Sequence, residues 1–210
     1  MDLTYSSPFY RCIQTLQPYI EKLSSKSKDA PKVTLEHGVG EFYGLARFDH
    51  PSPATLDVLR PLFPTLTLET PSSGPIITPS TKGESIPQLH NRLSYALHHL
   101  IARADADPAA PKALLICTHA ASVIAIGRGL TGWMPEDEGE EDFKCFTCGF
   151  SKFVRKNAGE KGGEVKTWDA KKPEDVPDIG WRDGKGVAGG WTCEANSDCS
   201  FLENGEERGW

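Results

Sequence analysis

The chain lacks most of the features that mark membrane, secreted or nucleic-acid-binding proteins. No apolar run approaches the roughly 18 residues of a bilayer span, and the opening MDLTYSSPFY has neither the basic nor the apolar region of a secretory leader. Lys and Arg number 23 against 29 Asp and Glu, for a net charge of -6. No basic stripe offsets that balance, which argues against a direct nucleic-acid surface. Six cysteines in 210 residues are too sparse for a disulfide scaffold and read as free thiols or ligands. There is no internal repeat, no P-loop, no G-x-G-x-x-G after a strand and no G-x-S-x-G, so nucleotide binding and serine hydrolysis of those types have no support. These absences leave a soluble, intracellular chain, nuclear or cytoplasmic. At 38% hydrophobic it can bury one sizeable core.

What is present reads as alternating strands and helices. Leu3 to Ser6 resembles a strand end, and Ser7-Pro8 an N-cap and first helical position. Phe9, Ile13, Leu16, Ile20 and Leu23 then form one helical stripe, in which Pro18 predicts a kink. Val33 to Leu35 is a short strand leading into the glycine-rich EHGVGEFYG, Glu36 to Gly44. Ser52-Pro53 opens a second helix with Leu56, Leu59 and Leu62 facing inward, stopped by Pro61 and Pro64. Leu66 to Gly83 reads as a surface excursion. Ser85-Ile86-Pro87-Gln88 matches a capping box before an amphipathic helix ending near Ala104. Ala113 to Cys117 is apolar enough for a strand buried on both faces, with Thr118 capping the helix that starts at Ala120. Such alternation predicts a parallel or mixed sheet with helices on both faces.

Further on, Glu136 to Asp142 carries six acidic residues in seven and reads as a solvated loop. Phe143 to Arg155 alternates like one or two antiparallel strands. After Lys156 the composition turns polar, so the chain divides into a domain at 1–155 and a polar linker and tail at 156–210, of which Asn157 to Gly190 drapes over the domain or stays without structure. Gly189 to Trp210 regains aromatics and reads as a docking strand or a partner-binding tail.

Few residues are placed for chemistry. Cys145-x-x-Cys148 and Cys193-x5-Cys199 would make a four-thiolate zinc site if they met, but alternating strand positions explain the first pair equally well. His90, His98 and His99 have no Cys or carboxylate at ligand spacing and read as packing or surface residues. The residues therefore call for no cofactor and no metal. Arg11, Glu36 and His119 each fall near the C-terminal end of a predicted strand, where open α/β sheets gather ligands. A cation, an acid and an imidazole at a helix N-terminus suit a phosphoryl group.

Four stretches together resemble the histidine phosphatase, or phosphoglycerate mutase-like, superfamily. SSPFYRCIQT resembles its S-P-x-x-R-x-x-Q-T helix, LEHGVGEFYG its L-x-E loop, Gly83-Glu84-Ser85 with Arg92 the start of its long helix, and Cys117-Thr118-His119-Ala120-Ala121 the strand end with its second histidine. The resemblance implies a three-layer α/β/α sandwich. It implies Arg11 and His119 as phosphate-binding residues, and Glu36 and His119 as catalytic, with Glu36 the general acid. The family's nucleophile is a histidine in an R-H-G motif ending the first central strand, and this sequence contains none. His37-Gly38 is the one His-Gly pair and follows Glu36 rather than an arginine. The expectation is a domain lacking that first central strand, truncated or a remnant, that binds phosphate or a phosphomonoester without turnover. A narrower resemblance links LEHGVGEFYG, Cys148-Gly149-Phe150-Ser151-Lys152 and the tail after Cys199 to fungal proteins related to the phosphatase-like subunit of the RNA polymerase III factor TFIIIC. It implies a scaffold role with protein partners in a transcription factor complex, and no direct contact with nucleic acid or membrane.

Overall fold

The computed structural model describes residues 2–26, 31–137, 139–160 and 164–209. Four strands, β1 (Leu3–Ser6), β2 (Lys32–Leu35), β3 (Thr67–Glu69) and β4 (Leu114–Cys117), form a parallel sheet in the order β3-β2-β1-β4. Parallel neighbours need crossovers, and helices supply them: α1 (Tyr10–Ser24) after β1, α2 (Leu56–Leu62) after β2 and α3 (Ile86–Ala106) after β3. Helix α4 (Ala120–Thr131) follows β4.

Strand periodicity shows that both faces are covered. In β4, Leu114 and Ile116 pack with Tyr5 and the α3 and α4 residues Leu93, Leu97, Leu100 and Ile126, whereas Leu115 and Cys117 pack with Ile13, Leu16 and Ile20 of α1 and Leu59 of α2. Alternate residues of one strand thus feed two cores, giving the expected helix, sheet, helix layering. Ile13, Ile20, Leu59, Leu93 and Leu100 have no exposed surface, and each such side chain contributes about 1.5–3 kcal/mol on burial. No helix among the described residues is long and apolar enough to cross a membrane.

Several expectations change on contact with tertiary structure. The first helix begins at Tyr10, with Phe9 as its N-cap and no side-chain cap bond, and it runs through Pro18 as a single helix. The second begins at Leu56 rather than near Ser52, carries Pro61 inside its last turn and buries Leu59 alone, leaving Leu62 at 53% exposure. Leu66 to Gly83 is not only surface: Leu66, Leu68 and Ile77 are buried and β3 lies within it. Three residues suffice for an edge strand beside β2, too few to leave a periodic signal. The capping box at Ser85 and Gln88 is present with both of its bonds. Thr118 does not cap α4; its hydroxyl donates to Val39 O, and His119 stands at the N-cap position.

Phe143 to Arg155 supplies one strand, β5 (Phe150–Arg155), paired antiparallel with β6 (Trp191–Asp198) in a separate two-stranded sheet. β4 pairs only with β1 among the described strands. Between β5 and β6 the polar segment lies on the core. Trp181 is 1% exposed, Val165, Trp168, Val176 and Ile179 pack beside it, and the Trp168 amide donates to Tyr95 Oη at 3.0 Å. His90 and His98 are buried packing residues of α3.

Candidate functional site

The site forms where the parallel sheet changes direction. From β1 the chain winds outward through β2 and β3, then returns to place β4 on the other side of β1, so the loops after β1 and β4 diverge and open a crevice. Register brings the strand ends level: Ser6 pairs with both Leu35 and Cys117. The Ser7 amide donates to Cys117 O and the Glu36 amide to Ser6 O, both at 2.9 Å, so the three loops leave the sheet together.

His119, 7% exposed, stands at the centre of the crevice. Its Nε2 lies 2.7 Å from Ser7 Oγ, and its Nδ1 lies 3.0 Å from Glu41 Oε2 and 3.2 Å from Arg11 Nε. Arg11 Nη2 donates to the same Glu41 oxygen at 2.6 Å. The Phe9 ring meets the imidazole edge to face at a centroid distance of 5.5 Å. Cys12 Sγ lies 3.5 Å from Nε2. Burial opposes a charge on His119, but the Cys12 sulfur and the Glu41 carboxylate outweigh it and raise the pKa above the ordinary imidazole value. When protonated, the imidazole has one N–H to direct to Glu41 and the other to Ser7. Burial likewise opposes the charge on Glu41, yet His119 and Arg11 hold its pKa below the usual carboxylate value.

Of the three residues singled out in the sequence, the structure brings Arg11 and His119 together and keeps Glu36 apart. Glu36 has no exposed surface; its Oε1 accepts from the Gly38 and Ile76 amides, each at 3.0 Å, and among the described residues its Oε2 has no hydrogen-bond partner. Burial raises its pKa against the pull of those two amides. It braces the loop from inside. The carboxylate that reaches the crevice is Glu41, five residues further on in the same motif.

That loop is fixed by its backbone carbonyls. Arg92, 1% exposed, donates from Nη1 to Gly38 O at 2.8 Å and Gly40 O at 3.4 Å and from Nη2 to Glu41 O at 3.4 Å, while its Nε bonds both Glu84 oxygens at 3.0–3.1 Å. Ser122 Oγ donates to Gly40 O at 2.8 Å. A side chain at Gly38 would stand 2.8 Å from Ala96 Cβ and 2.9 Å from Ile77 Cγ2, so glycine there lets the loop lie on α3. Beside Glu41 opens a cleft of about 170 Å³ walled by Phe9, Tyr43, His50, Pro51 and Pro79. His37 also lines it, and His50, bonded to Gly44 O at 2.7 Å, stacks on Tyr43.

Sequence reasoning passed over Glu41, Ser7 and Cys12, although all three stand in the family-like motifs. The signal lay in position. Glu36 directly follows a buried strand and has no room to leave the sheet, whereas Glu41 comes after the His37–Val39 turn and Gly40. All six cysteines are free, and among the described residues no group of three or more His, Cys, Asp or Glu is arranged to hold a metal ion. Cys193 Sγ and Cys199 Sγ each bond a carbonyl two residues away, Ala195 O and Ser197 O.

Comparison with known proteins agrees with this geometry. The chain is 30% identical over 215 aligned positions to the transcription factor tau 55 kDa subunit of Saccharomyces cerevisiae, with all of this chain covered and 45% of that protein. It thus spans about half the length of that relative. Its fold is similar to that of the ecdysone phosphate phosphatase, EPPase, of Bombix mori, solved with tungstate: TM-score 0.50, 18% identity, 67% of this chain and 52% of the other covered. Residues 1–169 match the histidine phosphatase superfamily (branch 1). With a parallel sheet that places an arginine, a carboxylate and a histidine at its switch point, and with that match across most of its length, the chain belongs to the histidine phosphatase superfamily.

Proposed function

We propose that Arg11 and His119 bind the phosphoryl group of a phosphomonoester and that Glu41, in place of Glu36, is the carboxylate facing the leaving oxygen. The observation that carries this reading is the convergence of all three on one point, with Glu41 Oε2 3.0 Å from His119 and 2.6 Å from Arg11. Guanidinium and imidazolium donors suit phosphoryl oxygens. A phosphoryl dianion seated there takes over Arg11 and His119 and sets its negative charge against Glu41, which favours the protonated, donating form of that carboxyl. In this chain the pocket binds without turnover. Covalent transfer needs a nucleophilic histidine beside His119. His37 and His50 line the neighbouring cleft instead, and no R-H-G occurs in the sequence.

The test is titration with orthophosphate and incubation with p-nitrophenyl phosphate. Phosphate binding lost in Arg11→Ala and His119→Ala, with no p-nitrophenol released, is the expected result. Hydrolysis by this chain, abolished by His119→Ala, overturns the inactive reading.

A second reading is favoured by the identity to the tau 55 kDa subunit along the whole of this chain: a nuclear scaffold domain acting through protein contacts in a TFIIIC-type assembly. Co-purification with the other subunits of such a factor supports it, and loss of that association on neutralising Glu136 to Asp142 would locate the contact. A chain that binds none of those subunits refutes the scaffold reading.

A further inference from the structure

We infer that Cys12 and Cys117 form an oxidant-sensitive thiol pair, closing by disulfide formation beneath His119. Neither cysteine is needed to hold a phosphoryl group, and the two meet close to the His119 imidazole. Cys12 opens α1 and Cys117 ends β4. Cys117 Sγ is 3.4 Å from Cys12 O, and Cys12 Sγ is 3.6 Å from Thr118 O, the carbonyl of the residue after Cys117. The two thiols also shift each other's pKa in opposite directions. The two residues thus meet where α1 lies on the end of β4, and closing the link turns both side chains toward each other.

The chemistry of the two thiols is unequal in the sense that exchange requires. The Cys117 thiol is the largest influence on Cys12 and, with the help of His119 and against burial, draws its pKa down to about 5. Cys12, together with burial, pushes Cys117 upward. Cys12 is therefore the thiolate that attacks and Cys117 the thiol that resolves. With hydrogen peroxide as oxidant, the Cys12 thiolate attacks one peroxide oxygen, an S–O bond forms, the O–O bond breaks and hydroxide leaves. Hydroxide takes the Cys117 proton as water. The Cys117 sulfur then attacks the Cys12 sulfenic acid, the S–S bond forms, and the released hydroxide is protonated to a second water. Two thiols lose two electrons and one peroxide gains them. Cys12 is 4% exposed and sits below His119, so a small oxidant is the class that reaches it.

Closure has a consequence for the imidazole. His119 loses the sulfur that helps to raise its pKa and keeps Glu41 alone, so its pKa falls when the pair is oxidised. The chemistry itself does not depend on whether the pocket binds phosphate.

The experiment is peroxide treatment of the native 210-residue chain, alkylation of the remaining thiols, and peptide mapping. The expected product is a Cys12–Cys117 cross-linked peptide, with the intact chain lighter by about 2 Da and four alkylated cysteines left. The His119 titration, followed by NMR, should move to lower pH in the oxidised chain. In Cys117→Ser the link is lost and Cys12 is trapped as a sulfenic acid by dimedone. Three outcomes overturn the proposal: a link between another pair, Cys12 unmodified after peroxide, or a link that forms only once the chain is denatured. Because the wild-type map alone decides it, a variant that fails to fold leaves the test standing.

Discussion

The two halves of the loop from Leu35 to Gly44 carry a glutamate each and use it in opposite ways. In the first half Glu36 points inward, has no exposed surface, spends one oxygen on the Gly38 and Ile76 amides and has its pKa raised by burial. In the second half Glu41 points into the crevice, faces Arg11 and His119, and has its pKa lowered by them. One side chain type in one loop thus packs inward in one half and lines the crevice in the other, and surroundings decide which. A buried carboxyl without a cation favours its neutral form, whereas a partly exposed one between an imidazolium and a guanidinium favours its anion.

Arg92 joins the two halves, since it bonds Gly38 O in the first and Gly40 O and Glu41 O in the second. The largest effect should come from removing it. Arg92→Met strands the buried Glu84 carboxylate and frees three carbonyls, and should cost about 3–5 kcal/mol in urea unfolding. It should also uncouple Glu41 from His119 in whatever folded protein remains, seen as a lower His119 pKa by NMR. Unchanged stability would mean that the loop holds its shape without this arginine.

Glu36 comes next. Glu36→Ala deprives two backbone amides of their acceptor and should cost about 1–3 kcal/mol. Glu36→Gln keeps the acceptor oxygen and removes the ionisable group, so its comparison with wild type isolates the pKa. A carboxyl whose pKa is raised on folding contributes full stability below its unfolded value, about 4.3, and loses it as pH rises through the folded value. The glutamine variant should therefore match wild type in acid and be the more stable of the two at neutral pH. The opposite trend would put an unseen cation beside Glu36.

The contrast between these glutamates also marks the limit of what the sequence discloses. Strands and helices were legible because period-two and period-3.6 patterns are local: Leu3–Ser6, Lys32–Leu35 and Leu114–Cys117 stand where apolar residues cluster, and the Ser85 capping box is complete within four residues. Arg11 and His119 stood out as candidates because each comes shortly after a strand, Arg11 five residues past Ser6 and His119 two past Cys117. Which glutamate faces the crevice was not legible, because both share the loop and only the course of its backbone, set by Arg92 and by the contact of Gly38 with α3, decides which one turns outward. The edge strand Thr67–Glu69 and the burial of Trp181 were hidden for the same reason, since both depend on partners distant in the chain.

In the second half of the loop, Arg11 should matter for anion affinity more than for folding. It is 54% exposed at its side chain and its pair with Glu41 is open to solvent, so Arg11→Ala should change stability by no more than about 1 kcal/mol. A charged hydrogen bond to phosphate is worth about 1.5–3 kcal/mol, so orthophosphate affinity by calorimetry should fall roughly 10- to 100-fold. An unchanged affinity would place the anion elsewhere.

The smallest effect should be that of Glu41→Gln on stability, and its pH dependence is the informative part. His119 has a raised pKa, so what it gains from Glu41 is fully present below its unfolded value, about 6.5, and is lost as pH rises through the folded value. Glu41 has a lowered pKa, so its contribution is present above about 4.3 and is lost as pH falls through its folded value. The two conditions overlap between about 4.3 and 6.5, where wild type should exceed Glu41→Gln by no more than about 1 kcal/mol. The gap should close on the acid side and narrow on the alkaline side, where Arg11 still pairs with Glu41, and orthophosphate should bind the variant more tightly because a competing anion has gone. A gap that stays constant from about pH 4 to about pH 9 would mean that Glu41 stabilises the loop as Glu36 does, through its backbone and packing, and that the two halves differ less than their geometry shows.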